Sequence, residues 1–321
     1  MPEQVSLDWF LLMWAGDNAS RADVSLAVAR LSEAGRDISE NLSCAGFATD
    51  RLIEAARNAS VAVLTSREMD TPVVLRSVAS LAIAVDALPG YDKIESHGPI
   101  GTIFSIWPHC TGPDDSSFLV KGRRQLAAAY FLYGANTTLV LTLGSGTHVF
   151  RLDRKTRRFM CTRRSIYIPP TGQEIAIDMS KYRHLNSGLT AYINDRLSGT
   201  DGPMHSDCAV RWTASLIADA HQIITRGGIY LHPAGTQSNQ TSGCPLLVYE
   251  ASPIALLIQQ AGGAARDPMT DILELEPVDL HQRTGLAFGS QSEMERMGNY
   301  ISSTMPNEKP PLFAHRGLFR S

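Results

Sequence analysis

The sequence predicts a mixed α/β protein built in layers, and three observations carry that expectation. Short apolar runs of strand length alternate with stretches whose apolar residues recur every three or four positions. Breaker-rich segments punctuate them. The chain, at 321 residues, is long enough to bury a substantial core.

The elements follow in order. Residues 19–60 read as helical: Ala22–Leu31, Ile38–Leu42 and Asp50–Asn58 all space apolar residues by three or four. Val61–Thr65, Leu81–Val85 and Ile100–Trp107 are strand-like apolar runs. Thr138–Leu143 and Thr147–Leu152 predict a hairpin around Gly144-Ser145-Gly146, a turn and not a phosphate loop, because no helix start follows it. Ala214–Thr225 is a helix with Gly227-Gly228 as its C-cap. Ile229–His232 is a strand stopped by Pro233. Pro253–Gln260 is a helix with proline near its first turn and Gly262-Gly263 after its end, and Leu286–Phe288 is a last short strand. The loop Gly235–Gly243 is polar, and the tail from Ser302 is rich in proline and basic residues. This pattern alone leaves strand order open.

Composition narrows the function classes. Apolar residues make up 44% and charged residues 19%, ordinary for a globular domain, and the net charge of −3 points away from a nucleic-acid partner. The basic runs Lys121–Arg124 and Arg151–Arg158 read as solvated faces. No stretch has the ~18–20 apolar residues of a membrane span. Met1–Ala15 lacks the basic start of a secretion signal, and five widely spaced cysteines without a CxxC pair argue for free thiols; both lead to an expectation of a cytoplasmic protein. His109-Cys110 has no second His or Cys at ligand spacing and reads as a loop pair. His221 and His281 read as structural.

Several ordered segments resemble the class I fructose-1,6-bisphosphatase family of bacteria. Gly101-Thr102-Ile103-Phe104-Ser105-Ile106 resembles its GTIFxI strand. Ala127-Ala128-Ala129-Tyr130 with Leu132-Tyr133-Gly134 resembles a family helix of pattern AAGYxLYG. Arg226-Gly227-Gly228-Ile229-Tyr230-Leu231 with Pro233-Ala234 is similar to YGGIFLYPA. Leu247-Val248-Tyr249-Glu250-Ala251-Ser252-Pro253 with Gln260-Ala261-Gly262-Gly263 is similar to the LLYE strand and the AGG segment after it. Leu280-His281-Gln282-Arg283, Gly289-Ser290 and the C-terminal Pro311-Leu312-Phe313 and Arg316–Arg320 complete a match over roughly residues 6 to 320.

The resemblance implies a five-layer α-β-α-β-α fold, in two halves at 1–190 and 191–321, and a homo-oligomer, dimer or tetramer. It implies magnesium-dependent hydrolysis of the 1-phosphate of fructose 1,6-bisphosphate, with carboxylates holding the metal. The residues that match the family's metal ligands are Glu68, Asp86, the carbonyl of Leu88 and Glu250, with Glu68, Asp86 and Glu250 the catalytic set. Gly90, Tyr91, Lys181, Arg211 and His232 fall at substrate-binding positions. Arg211 would reach a neighbouring subunit's site, and Trp212 follows it at the expected interface.

The site departs from the family pattern. The Ser-Glu-Glu stretch is Ser66-Arg67-Glu68, so a guanidinium replaces one carboxylate. DPLDGSSN is Asp86-Ala87-Leu88-Pro89-Gly90-Tyr91-Asp92-Lys93, so Pro89 replaces a second metal ligand and Tyr91 a phosphate-cradling serine. Cys244 and Leu246 stand where the family has basic residues, and Asp178 and Lys181 where it has an Asn and a Tyr around the 6-phosphate. Ser80-Leu81 and Pro108 replace the family's AMP-binding residues. Glu68, Asp86 and Glu250 are expected to converge, with at most one magnesium ion, weakly held, or none. Asp92, Glu95, Asp114 and Asp115 are the acids nearby that could compensate; read without the family, they are solvated loop residues. Three readings stay open at this point: a sugar-phosphate-handling protein with impaired or repurposed catalysis, a catalytically inactive paralogue acting by assembly, and a working phosphatase.

Overall fold

The structure is a computed structural model describing residues 5–42, 44–91, 95–234 and 244–304. Asp92, Lys93, the Gly235–Gly243 loop and the tail beyond residue 304 lie outside it.

Three helices open the chain: α1 (Leu7–Ala15), α2 (Ala19–Glu40) and α3 (Ala45–Arg57). The first sheet follows, with β1 (Val61–Ser66), β2 (Val73–Val74), β3 (Leu81–Asp86), β4 (Ile100–Pro108), β5 (Ala127–Tyr133), β6 (Thr138–Thr142), β7 (Thr147–Asp153) and β8 (Arg158–Ile166) in the order β2-β1-β3-β4-β5-β6-β7-β8. β1 and β3 are parallel, and the run from β3 to β8 is antiparallel. The second sheet holds β9 (Glu174–Ile177), β10 (Ala209–Arg211), β11 (Ile229–His232), β12 (Ala264–Asp267), β13 (Thr270–Asp271) and β14 (Leu286–Gly289), ordered β10-β9-β11-β14-β12-β13. Four helices complete the fold: α4 (Ser187–Leu197), α5 (Leu216–Arg226), α6 (Ser252–Gln260) and α7 (Gln291–Thr304).

Side-chain alternation along the strands builds the layers. Ala127, Ala129, Phe131 and Tyr133 of β5 join α1, α2 and α3 in one core, while Ala128 and Tyr130 face the opposite way, toward α5 and α6. Tyr230 of β11 and Phe288 of β14 close that middle core, and Ile229, Leu231 and Ala287 turn outward against α4 and α7. The expected α-β-α-β-α layering is the architecture found.

Two expectations need correction. Ala127–Tyr133 is a central strand, not a helix. An alanine run carries high helix propensity, but here both faces of the segment are buried between helix layers. Backbone hydrogen bonds to β4 and β6 then decide the outcome. Leu247–Ala251 is a π-helical turn feeding directly into α6, not a strand. Three helices also escaped the sequence reading: α4, α7 and α1, the last apolar on nearly every side so that no period marks it.

Candidate active site

The site is assembled where β1 and β3 end side by side. Because the two strands run parallel, with Ser66 opposite Val85, their C-terminal ends deliver Arg67 and Asp86 to the same place. The Arg67 N–H donates to the Val85 carbonyl at 3.0 Å, fixing the turn. The third member, Glu250, arrives from the π-helical turn. Its Oε2 accepts from the Leu246 N–H at 2.7 Å, which leaves Oε1 for other partners.

Arg67 takes that partner role. Its Nη1 donates to Asp86 Oδ2 at 3.0 Å and stands 3.5 Å from Glu250 Oε1. Both carboxylates are buried, whereas the Arg67 side chain is 38% exposed. Burial pushes the Asp86 carboxyl up to about 7, Glu250 pushes it the same way, and Arg67 pulls it back. Burial likewise raises Glu250, with Arg67 and the Leu246 N–H opposing. Desolvation works against the charge on Arg67, but Asp86 and Glu250 outweigh it and keep the guanidinium protonated. The His281 ring sits against Tyr249 and donates Nε2–H to the Arg67 carbonyl at 3.1 Å, so that histidine is structural.

This arrangement does not fit a cluster of magnesium ions. A cation already bridges two of the three retained acids, and Glu68 is solvent-exposed. Among the described residues no three acidic, histidine or cysteine side chains lie close enough to hold a metal. The expected convergence of Glu68 with Asp86 and Glu250 is therefore incomplete: Asp86 and Glu250 meet on Arg67, and the exposed Glu68 acts on Asp86 through its charge. The Leu88 carbonyl accepts the Tyr91 N–H at 3.0 Å in a tight turn through Gly90, whose φ of 86° suits glycine. Glu95 and Asp114 are exposed, in keeping with solvated acids, and Asp115 is half-buried.

A cavity of about 290 Å³ opens beside the triad. Arg67, Pro89, Gly90 and Glu250 form part of its wall, and Trp212, Tyr230 and His232 form another. Cys244, Pro245 and Arg283 also line it. Arg283 Nη1 donates to the Cys244 carbonyl, and burial raises the Cys244 thiol. His232 Nε2 accepts from Lys181 Nζ at 2.7 Å, so Nδ1 carries the proton that faces Tyr230 Oη at 3.3 Å. Burial first and Lys181 second lower His232 to about 4, keeping it neutral. Asp178 is occupied as the cap of the following turn, taking hydrogen bonds from Ser180 N and Oγ at 3.0 and 2.7 Å.

Of the sequence-derived candidates, Gly90, His232 and Glu250 line this cavity, and Tyr91, next to Gly90 in the chain, has a 39% exposed side chain. Lys181 reaches it through His232. Arg211 instead pairs with Glu174 at 3.0 Å on the exposed edge strand β10, outside the cavity wall. Sequence reasoning missed Tyr230 and Arg283 and assigned Trp212 to an interface alone. Tyr230 had a usable signal, since two residues before His232 on a strand it must share that face.

Comparison with known proteins identifies the family. Residues 39–164 match the model of the fructose-1-6-bisphosphatase N-terminal domain, and residues 168–302 that of its C-terminal domain. The chain is 40% identical to fructose-1,6-bisphosphatase class 1 of Sinorhizobium medicae, with 95% of each chain covered. It is 39% identical to a class 1 enzyme of Xanthobacter autotrophicus over 98% of this chain and 92% of the relative. In structure it resembles Leishmania major fructose-1,6-bisphosphatase in holo form, with a TM-score of 0.84 and 24% identity over 94% of this chain and 100% of the other. Two family domains in sequence, relatives matched end to end and the shared layering lead to one conclusion: this chain belongs to the fructose-1,6-bisphosphatase family.

Proposed function

We propose that the chain handles a phosphorylated sugar in the cavity beside Arg67, and that its hydrolysis of fructose 1,6-bisphosphate is impaired relative to the relatives that carry that name. The observation behind this is the position of Arg67 Nη1, 3.0 Å from Asp86 and 3.5 Å from Glu250. Metal-assisted phosphoryl hydrolysis needs divalent cations to activate water and to neutralise the leaving oxygen. A guanidinium on the same carboxylates supplies one positive charge and cannot activate water by coordination. At most one magnesium ion would bind, weakly, and only by displacing Arg67.

An inactive chain acting through assembly alone would have no use for a ligand pocket. The cavity, with Arg67, Arg283 and an aromatic wall, favours ligand handling over that alternative. Assembly into a homo-oligomer belongs to the same proposal and is supported by the exposed apolar face of α1.

The test is phosphate release from a panel of sugar phosphates with magnesium, with manganese and with EDTA. The proposal expects release from fructose 1,6-bisphosphate far below about 1 s⁻¹ in every condition. Release on the order of 1 s⁻¹ or faster that EDTA abolishes would show that ligands other than Asp86 and Glu250 rebuild the metal site.

A further inference from the structure

Away from the cavity, α4, α7 and the loop between α4 and β10 enclose a second charged group. Arg196 of α4 and Glu293 of α7 are each only 1% exposed. Glu293 is fully used: Oε2 accepts from Tyr192 Oη at 2.9 Å and faces Arg196 Nε at 3.8 Å, and Oε1 accepts from Arg296 Nη1 at 3.0 Å. Arg196 is not. Its Nη2 donates to the Gly172 carbonyl at 3.0 Å, but Nε has no hydrogen-bond partner, and Nη1 reaches only the Met204 sulfur, at 3.9 Å. Arg296 Nη1 stands 3.8 Å from the same sulfur. Two guanidiniums therefore converge on a thioether, which is a weak acceptor. Buried donors are ordinarily matched by good acceptors. This group is one strong acceptor short, and the shortage falls at Met204.

We propose that Met204 is a site of reversible oxidation by peroxide, and that the sulfoxide oxygen is the acceptor that Arg196 and Arg296 lack. Met204 is half-buried, within reach of a small oxidant, whereas Met294 and Met297 of α7 are fully buried. In the step, a sulfur lone pair attacks one oxygen of hydrogen peroxide. The S–O bond forms as the O–O bond breaks, and the proton on the transferred oxygen passes to the other oxygen, which leaves as water. Sulfur gives up two electrons and the peroxide takes them. A sulfoxide in an apolar core is disruptive, because the new oxygen has nothing to bond. Here it meets two cationic donors, and hydrogen bonds from charged donors are the strong ones. Negative charge grows on oxygen during the transfer, so the same guanidiniums favour the reaction as well as its product.

The experiment is a timed exposure of the wild-type chain to hydrogen peroxide with peptide mapping by mass spectrometry, repeated on Arg296→Leu and Met204→Leu. Arg296 is the donor to change, since its side chain is 40% exposed while that of Arg196 is buried. Met69 and Met160 are half-buried like Met204 and serve as the reference. Met204 should convert about fivefold faster than either, and should lose that lead in Arg296→Leu. Melting temperatures before and after oxidation give a second readout, with Met204→Leu recording what the other methionines contribute. The wild type should shift no further down than Met204→Leu, and Arg296→Leu should shift about 2 °C or more further down. Conversion no faster than at Met69 and Met160, a lead that survives in Arg296→Leu, or a larger fall in the wild type than in Met204→Leu overturns the inference.

Discussion

At the scale of single residues, the site turns on Arg67. Replacing it with methionine removes the cation paired with both Asp86 and Glu250 while keeping an unbranched apolar stem. Breaking a fully buried ion pair costs ~3–5 kcal/mol, and with Arg67 38% exposed a loss of about 1–3 kcal/mol is expected at neutral pH. Urea melts of Arg67→Met check this, and a variant as stable as the parent would remove the ion pair from the account. The pH dependence has a definite sign. Burial lifts Asp86 from the unfolded value near 4 to about 7, so the folded state binds the extra proton between those values. Its contribution to stability therefore falls as pH rises through that window and is fully lost above it. His232 acts in the opposite sense, because its folded value of about 4 lies below the unfolded one near 6.5. A comparison with Asp86→Asn separates the two: that variant should gain melting temperature relative to the parent as pH rises from about 5 to 8. A flat difference contradicts the assignment. Magnesium should leave the parent's melting temperature unchanged, since a ligand stabilises only in proportion to its binding. The combined variant Arg67→Glu, Pro89→Asp, Tyr91→Ser, Cys244→Lys should gain magnesium-dependent hydrolysis that no single change confers, because such groups act as a unit. The substitutions themselves were legible in the sequence. What was not legible was that Lys181 hydrogen-bonds His232 and that Glu68 stays in solvent, since both depend on side-chain packing between distant segments.

At the scale of elements, legibility followed periodicity. Helices α2 and α3 and the hairpin of β6 and β7 have clear periods and were located, as was α5 with its Gly227 cap. The segments misread share one property: burial on all sides erases the contrast that periodicity needs. This holds for β5 between two helix layers and for the π-helical turn that carries Glu250. The β5 core also explains a glycine inside α2, where glycine ordinarily costs stability. A Cβ on Gly35 would come 2.6 Å from the Phe131 ring, and Phe131 is fully buried and cannot swing aside. Gly35→Ala should therefore destabilise the chain by about 1–3 kcal/mol despite alanine's better helix propensity. Chemical denaturation that finds this variant stabilised would mean that α2 shifts freely on the sheet.

At the scale of the whole molecule, the layers leave one surface unaccounted for. Helix α1 buries Leu7, Phe10, Leu11 and Ala15 against the first sheet and α2, yet its outward side carries Trp9 at 47%, Leu12 at 68% and Met13 at 60% exposure. A helix apolar on both sides is ordinarily covered on both. Trp9 continues this face into an open groove that Val5, Met160, Arg158 and Asp153 also line, so apolar and charged side chains meet there, as they do at interfaces. The proposed homo-oligomer would cover this face with a second copy. Sedimentation of the wild-type chain should then give a mass that is a multiple of its 35.0 kDa. Because Leu12 and Met13 face outward, Leu12→Lys with Met13→Lys should leave the fold and its melting cooperativity intact while shifting the mass toward the single chain. Unchanged association in that double variant would move the interface elsewhere, with the β10 edge around Arg211 the next surface to alter. A single-chain mass for the wild type would end the oligomer proposal and leave α1 as an exposed apolar face open to another partner.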